Sequence, residues 1–219
     1  MAADIIDGKA LATKVKDGVR QEAAQLPRKP GLAVVLVGDD PASRVYVTSK
    51  RKDCEECGFY SEEYALPAQT TQRQLLELVA ELNGRQDIDG ILVQLPLPRG
   101  LDEQAVLLAI HPDTDGDCFP PCTVGRLTIG DPVFQPCTPG GVMEMLKEYR
   151  IDPAGKRCVV LGRSNIVGKP MALLLLHAHG TVTVCHSKTP DLAAIAASAD
   201  ILVSAVGRTG LVTADMVKE

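Results

Sequence analysis

Tryptophan is absent from this 219-residue sequence, and aromatic residues make up only 3% of it. Its cores must therefore be aliphatic, and it has few rings on which nucleic-acid bases could stack. Positive charge is not in excess either. A net charge of −5 gives no general attraction to nucleic acid or to an anionic membrane, and neither is expected as a partner. No apolar run approaches the roughly 20 residues of a membrane span. The N-terminus carries acids early and passes straight into an amphipathic pattern, with neither a signal peptide nor a basic transit peptide in view. Seven cysteines, at 54, 57, 118, 122, 137, 158 and 185, are odd in number and scattered. That argues against a disulfide scaffold and suits the reducing cytoplasm. Cys54-x-x-Cys57 lacks a second pair at zinc spacing, and the four histidines form no H-E-x-x-H, so no metal site is expected.

What remains is a chain with 45% apolar and 23% charged residues, long enough for one large or two small cores. Strand and helix patterns alternate along it. Residues 7–26 read as a helix with Leu11, Val15 and Val19 on one stripe. Gly31–Gly38 is almost wholly apolar, as a parallel strand covered on both faces would be. Ser43 is the expected N-cap of a helix Arg44–Cys57, which Gly58 stops. A short strand falls within Phe59–Leu66. Thr71 and Gln74 form a capping-box pair ahead of a helix that ends near Gly84. Ile88–Gln94 is a further strand, and Asp102 starts a helix to Ile110. Residues 111–137 read as loop, and residues 142–149 as a helix connecting two domains. The boundary is expected near 140, giving domains 1–140 and 141–219.

The second domain opens on Val159-Val160-Leu161-Gly162-Arg163-Ser164-Asn165-Ile166-Val167-Gly168-Lys169-Pro170, which reads as strand, tight turn and helix. Such a unit presents free backbone N–H groups and the positive end of a helix to an anion. Strands at Thr181–Cys185 and Ile201–Gly207, with a helix between them, complete a βαβαβ half of a dinucleotide-binding fold. An NAD site wants an acid near the end of the second strand. Cys185, His186, Ser187, Lys188 and Thr189 stand there instead, and Arg163, Ser187 and Lys188 could donate to a 2′-phosphate, so the reading leans to NADP over NAD.

Three further features could carry chemistry. Tyr46 and Lys50 share a helix face just beyond a strand's carboxyl end, where a ring and an amine could hold a planar substrate and move a proton. The alternative is solvated surface charge. Gln94 places an amide at the end of an apolar strand, facing the crevice of such a sheet. Asp113, Asp115 and Asp117 alternate in a loop that fits a cation, the N–H groups of a heterocycle, or only solvent.

Ser43-x-x-Tyr46-x-x-x-Lys50, Gly90-Ile91-Leu92-Val93-Gln94-Leu95-Pro96-Leu97-Pro98, Pro136-Cys137-Thr138-Pro139-Gly140-Gly141 and Gly162-Arg163-Ser164-x-x-Val167-Gly168-x-Pro170 occur in that order. Together they closely resemble the bifunctional methylenetetrahydrofolate dehydrogenase/methenyltetrahydrofolate cyclohydrolase family. The resemblance implies a folate-binding α/β/α catalytic domain followed by a Rossmann-like NAD(P)-binding domain, with parallel sheets and a cleft between them, usually as a homodimer. It implies oxidation of 5,10-methylenetetrahydrofolate with NADP, or NAD in some members, and hydrolysis of the methenyl product to 10-formyltetrahydrofolate.

By the same resemblance Lys50 is the catalytic lysine and Gln94 the amide that positions it. Tyr46 packs on the folate, Asp117 holds the pterin edge, and Thr138 lines the domain junction. The cofactor site is expected at Gly162, Arg163, Ser164, Gly168, Ser187 and Val206. Two departures stand out. Thr114-Asp115-Gly116-Asp117-Cys118 replaces the family's Lys-Asp-Val-Asp-Gly, and the family continues beyond residue 219, so a shortened chain with an open sheet edge is expected. Two alternatives follow: a folate- or nucleotide-binding fragment without turnover, and a purely structural or interaction protein.

Overall fold

The computed structural model describes residues 3–218, whose contacts divide them into two compact units. Residues 7–123 form one unit; residues 124–218, joined by residues 3–6, form the other. This division falls ahead of the boundary expected near 140, because the stretch read as loop contains a helix whose Leu127 enters the second core.

The first unit runs α1 (Gly8–Ala23), β1 (Gly31–Val37), α2 (Pro41–Cys57), β2 (Tyr60–Leu66), α3 (Gln72–Asn83), β3 (Gly90–Val93) and α4 (Glu103–Ala109). All three strands are parallel, in the order β2-β1-β3. The apolar run of β1 is explained by its central place. Ala33, Val35 and Val37 face a core shared with Leu75, Val79 and Leu82 of α3 and Val106 of α4. Val34 and Leu36 face the opposite way, toward Val47 of α2. A strand buried on both faces has no polar alternation to show. Each fully buried side chain such as Leu36 contributes about 1.5–3 kcal/mol relative to exposure.

Local signals set most helix ends. Thr71 and Gln74 make the expected capping box, and Gly58 closes α2 in the left-handed region at φ +78°. The start of α2 differs from expectation. Asp40, not Ser43, is the N-cap, and its carboxylate accepts from Ser43 N at 2.8 Å. Pro41 then takes the first helical position, where its missing N–H costs nothing. Ser43 is instead buried on the helix's inner face.

The second unit contains α5 (Pro121–Ile129), which begins within the first, then α6 (Cys137–Glu148), β4 (Arg157–Leu161), α7 (Gly168–His177), β5 (Thr181–Cys185), α8 (Leu192–Ala197), β6 (Ile201–Ser204) and a final 3-10 turn, Ala214–Met216. The helix expected over 142–149 starts five residues earlier, through Pro139-Gly140-Gly141, and contributes Leu146 to the core with Met171, Leu174 and Leu175 of α7. The strands are again parallel, in the order β5-β4-β6. Cys158 and Val160 of β4 face α6 and α7, while Val159 and Leu161 face α8 and Met216. Among the described residues β6 has one neighbouring strand, β4.

Candidate active site

Both sheets reverse their direction of winding beside the central strand, and ligands of such sheets bind at that switch point, outside the strands' carboxyl ends. In the first unit the switch lies between β1 and β3. The helix that follows β1 carries Lys50, and the residue that follows β3 is Gln94. Lys50 Nζ donates to Gln94 Oε1 at 3.1 Å. Gln94 is fixed from two sides: its N–H donates to Val35 O of β1 at 2.8 Å, and its Nε2 donates to Leu95 O at 2.8 Å. With the amide nitrogen so engaged, the oxygen must face the lysine. Tyr46 lies one turn earlier on α2 and is 63% exposed, leaving its ring face open.

The three alternating aspartates part company. Asp113 is exposed beside His111. Asp115 is fully buried and accepts from Cys118 N at 3.1 Å, with Thr123 Oγ1 2.9 Å from its other oxygen. Burial raises its pKa against the lowering effect of those donors. The Thr123 hydroxyl is also 2.9 Å from Pro120 O.

Asp115 also sits in a parallel bridge opposite Ile91, with Ile91 N donating to Thr114 O at 2.8 Å. The loop is thereby tied to the flank of β3. Two residues on, Asp117 is drawn into the field of Lys50. Its pKa is raised, first by burial; Lys50 pulls it down and Asp115 pushes it up. Amine, amide and carboxyl thus come to one strand end from three separate stretches of sequence. Sequence reading left Asp115 among three equivalent acids and missed Thr123. Their role depends on burial, which spacing does not reveal.

The loop in which Cys118 stands for the usual glycine still takes a left-handed turn there, at φ +58°. The Cys118 side chain is buried and its Sγ lies 3.8 Å from Asp115 O. Cys54 and Cys57 are also buried, and burial raises both thiol pKa values. Buried, protonated thiols are poor nucleophiles and poor metal ligands. Among the described residues no group of three or more His, Cys, Asp or Glu is placed to hold a metal ion.

In the second unit, Gly162 follows β4 at φ +112°, and a Cβ there would lie 2.5 Å from Ala205 O. A Cβ on Gly168 would come within 2.3 Å of Gly162 O. Both glycines are required by close approach: the β6 loop and the start of α7 both press on the turn. Ser164 Oγ accepts from Val167 N at 3.1 Å and Gly168 N at 3.2 Å, which organises the entry to α7 and leaves its own proton to donate. Arg163 is exposed on the same turn.

A cavity of about 280 Å³ opens at these strand ends. Its floor is apolar, from Leu161, Cys185, Leu192 and Leu211; Gly162 and Val206 lie at the ends of β4 and β6, and His186, Ser187 and Arg208 supply its polar groups. No Asp or Glu lines it. Of the six residues expected here, Gly162, Ser187 and Val206 line the cavity, while Arg163, Ser164 and Gly168 build the adjoining turn. Thr138 is an exposed residue in the first turn of α6, in the second unit. Sequence reading missed Arg208, Leu192 and Leu211, which reach the cavity through folding alone. A larger groove of about 1230 Å³ runs along β6 and α8 past Met216 and contains none of the expected site residues.

The family model described as the tetrahydrofolate dehydrogenase/cyclohydrolase catalytic domain matches residues 6–117, and that of its NAD(P)-binding domain matches residues 136–219. The chain is 56% identical to bifunctional protein FolD of Magnetococcus marinus, covering 99% of this chain and 78% of that protein. It is 55% identical to the protein of the same name from Moorella thermoacetica, covering 100% and 79%.

Among solved structures, the FolD methylenetetrahydrofolate dehydrogenase/cyclohydrolase of Campylobacter jejuni superposes with a TM-score of 0.97 at 47% identity, covering 100% of this chain and 79% of that one. The Trypanosoma brucei enzyme, complexed with NADP cofactor and an inhibitor, gives 0.94 at 42% identity, covering 100% and 77%. A two-unit parallel α/β chain, with its lysine, glutamine and aspartate at one strand end and a glycine turn at the other sheet, therefore belongs to the tetrahydrofolate dehydrogenase/cyclohydrolase family.

Proposed function

We propose that this chain oxidises 5,10-methylenetetrahydrofolate to the 5,10-methenyl form with NADP and hydrolyses that product to 10-formyltetrahydrofolate. The observation that carries the reading is the Lys50–Gln94 hydrogen bond beside Asp117, at the switch point of a sheet in a chain of this family. NADP, when bound, supplies the acceptor for the hydride that leaves the bridging methylene carbon. The second unit suits that cofactor: its strand-end cavity holds no carboxylate to repel a 2′-phosphate, and Gly162 lets backbone approach where a side chain would not fit.

In the first unit Asp117 accepts from the N–H groups of the pterin edge, and Tyr46 lays its ring along the aminobenzoate. The methenyl carbon, positively charged, takes up water. Lys50 accepts the proton that the water gives up and returns it to the ring nitrogen as the carbon–nitrogen bond opens. Gln94 fixes the amine for that transfer by offering it an acceptor with no charge. The proposal includes a homodimer in the cytoplasm, checked by sedimentation of the purified chain and by fractionation.

Mixing the protein with NADP and methylenetetrahydrofolate tests the first step through growth of the methenyl absorbance. Decay of added methenyltetrahydrofolate above its spontaneous rate tests the second. Binding of both ligands without either absorbance change would replace this reading with that of a binding protein.

A further inference from the structure

The strand-end cavity of the second unit contains a cation to which nothing above has given a role. Arg208 follows β6 and lines the cavity together with Ser187, which follows β5. Its position is not that of a stray surface residue. The loop that carries it is pressed onto the β4 turn, where a Cβ on Gly162 would lie 3.2 Å from Val206 Cγ1 and 2.5 Å from Ala205 O. Ser187 is equally well placed, because the turn after β5 is tied internally: Thr189 Oγ1 accepts from His186 N at 2.9 Å and His186 Nδ1 accepts from Lys188 N at 3.1 Å.

Arg208 is exposed and makes no hydrogen bond or ion pair with any described residue. Arg28, Arg85 and Arg126 are each held by an aspartate, whereas Arg208, like Arg163 on the β4 turn, has no such partner among the described residues. An unneutralised guanidinium on a cavity free of carboxylates favours an anion, and its planar fork matches a phosphate with two parallel N–H donors. In a dinucleotide-binding unit the adenosine ribose lies at the end of the second strand, here β5. The 2′ position of that ribose therefore falls at Ser187, in the cavity Arg208 lines.

We propose that Arg208 reads the 2′-phosphate of the cofactor and sets the preference for NADP over NAD. The inference rests on the cofactor reading given above, and adds a guanidinium from the β6 loop to the one on the β4 turn.

The test uses the full chain with adenosine 2′,5′-bisphosphate and adenosine 5′-monophosphate as probes, titrated calorimetrically. Arg208→Met removes the charge and keeps the aliphatic stem, and Arg208→Lys restores a charge without the fork. Arg208→Met is expected to weaken the bisphosphate about 10-fold or more, as loss of a charged hydrogen bond does, and to leave the monophosphate within about twofold. Arg208→Lys recovers part of the loss. Unchanged thermal midpoints, expected for an exposed side chain, show that the fold is intact. An equal loss for both probes would make Arg208 a stacking partner of the base and overturn the proposal, as would no loss for either. A wild-type chain that binds the two probes alike overturns the NADP reading itself, whereas a wild-type preference that survives in Arg208→Met overturns only the assignment to Arg208.

Discussion

Lys50 and Gln94, 44 positions apart, are joined by one hydrogen bond of 3.1 Å from amine to amide oxygen. The amide is turned toward the lysine because its nitrogen is already committed to Leu95 O. A neutral acceptor orients an amine without favouring its protonated form as a carboxylate would. That distinction matters for a group that has to take up and release a proton in one cycle.

Lys50→Met should abolish hydrolysis of methenyltetrahydrofolate, a loss on the order of 10²–10⁴-fold for a general acid–base group. Folate binding should stay largely intact, since Asp117 and Tyr46 remain. Single-turnover decay of the methenyl absorbance, with a separate binding titration, reads both quantities. Undiminished hydrolysis by the variant would remove Lys50 from its role.

Gln94→Ala should cost about 10–100-fold in the hydrolytic rate, the scale of a small displacement of a reacting group. Gln94→Glu tests the charge argument. A carboxylate beside Lys50 favours its protonated form, so hydrolysis should need a higher pH to reach half its maximum. A pH–rate profile for the two variants separates lost placement from changed proton affinity.

Asp117 gives a pH dependence of defined sign. Burial raises its pKa, with Lys50 opposing and Asp115 assisting, so it is protonated at a higher pH than the ordinary aspartate value of 3.8. Folate binding that needs the ionised carboxylate should therefore weaken as pH falls through that raised value, above the usual aspartate range. For stability the sign is opposite: the folded chain holds the proton more tightly than the unfolded chain, so this contribution is present at low pH and lost as pH rises. Asp117→Asn should bind folate weakly at every pH yet melt slightly higher at neutral pH. Affinity and melting curves across the acid range check both halves, and a variant that melts lower would show that Lys50 more than compensates the buried charge.

Gly168→Ala should destabilise the second unit by about 1–3 kcal/mol, the usual cost of overpacking, because the added Cβ would stand 2.3 Å from Gly162 O. NADP affinity should fall with it, since α7 would be pushed off the turn that carries Arg163 and Ser164. Thermal melting and nucleotide titration measure the two effects. Neither should appear for Gly18→Ala, where nothing lies within 4 Å of the added carbon.

The elements were legible where a local cause acts within a few residues. Thr71 and Gln74 cap α3, Gly58 ends α2, and the apolar runs of β1 and β4 mark strands covered on both faces. Errors came where a neighbouring residue competed for the same task. Asp40 displaced Ser43 as cap because its carboxylate reaches Ser43 N and Pro41 fits the first helical position. The stretch 121–129 looked like loop for its Pro and Gly, yet Leu127 finds a core and the helix forms around it.

Sequence by itself determined the order of the strands and of the helices other than α5, the glycine turn after β4 and the absence of a carboxylate beyond β5, because each follows from side-chain type and short-range geometry. Only the tertiary structure decided which polar groups share a site. The winding of two parallel sheets carries Lys50 to Gln94 and Arg208 to Ser187. Burial, a property of the packed molecule and not of any residue, distinguishes Asp115 and Asp117 from the exposed Asp113.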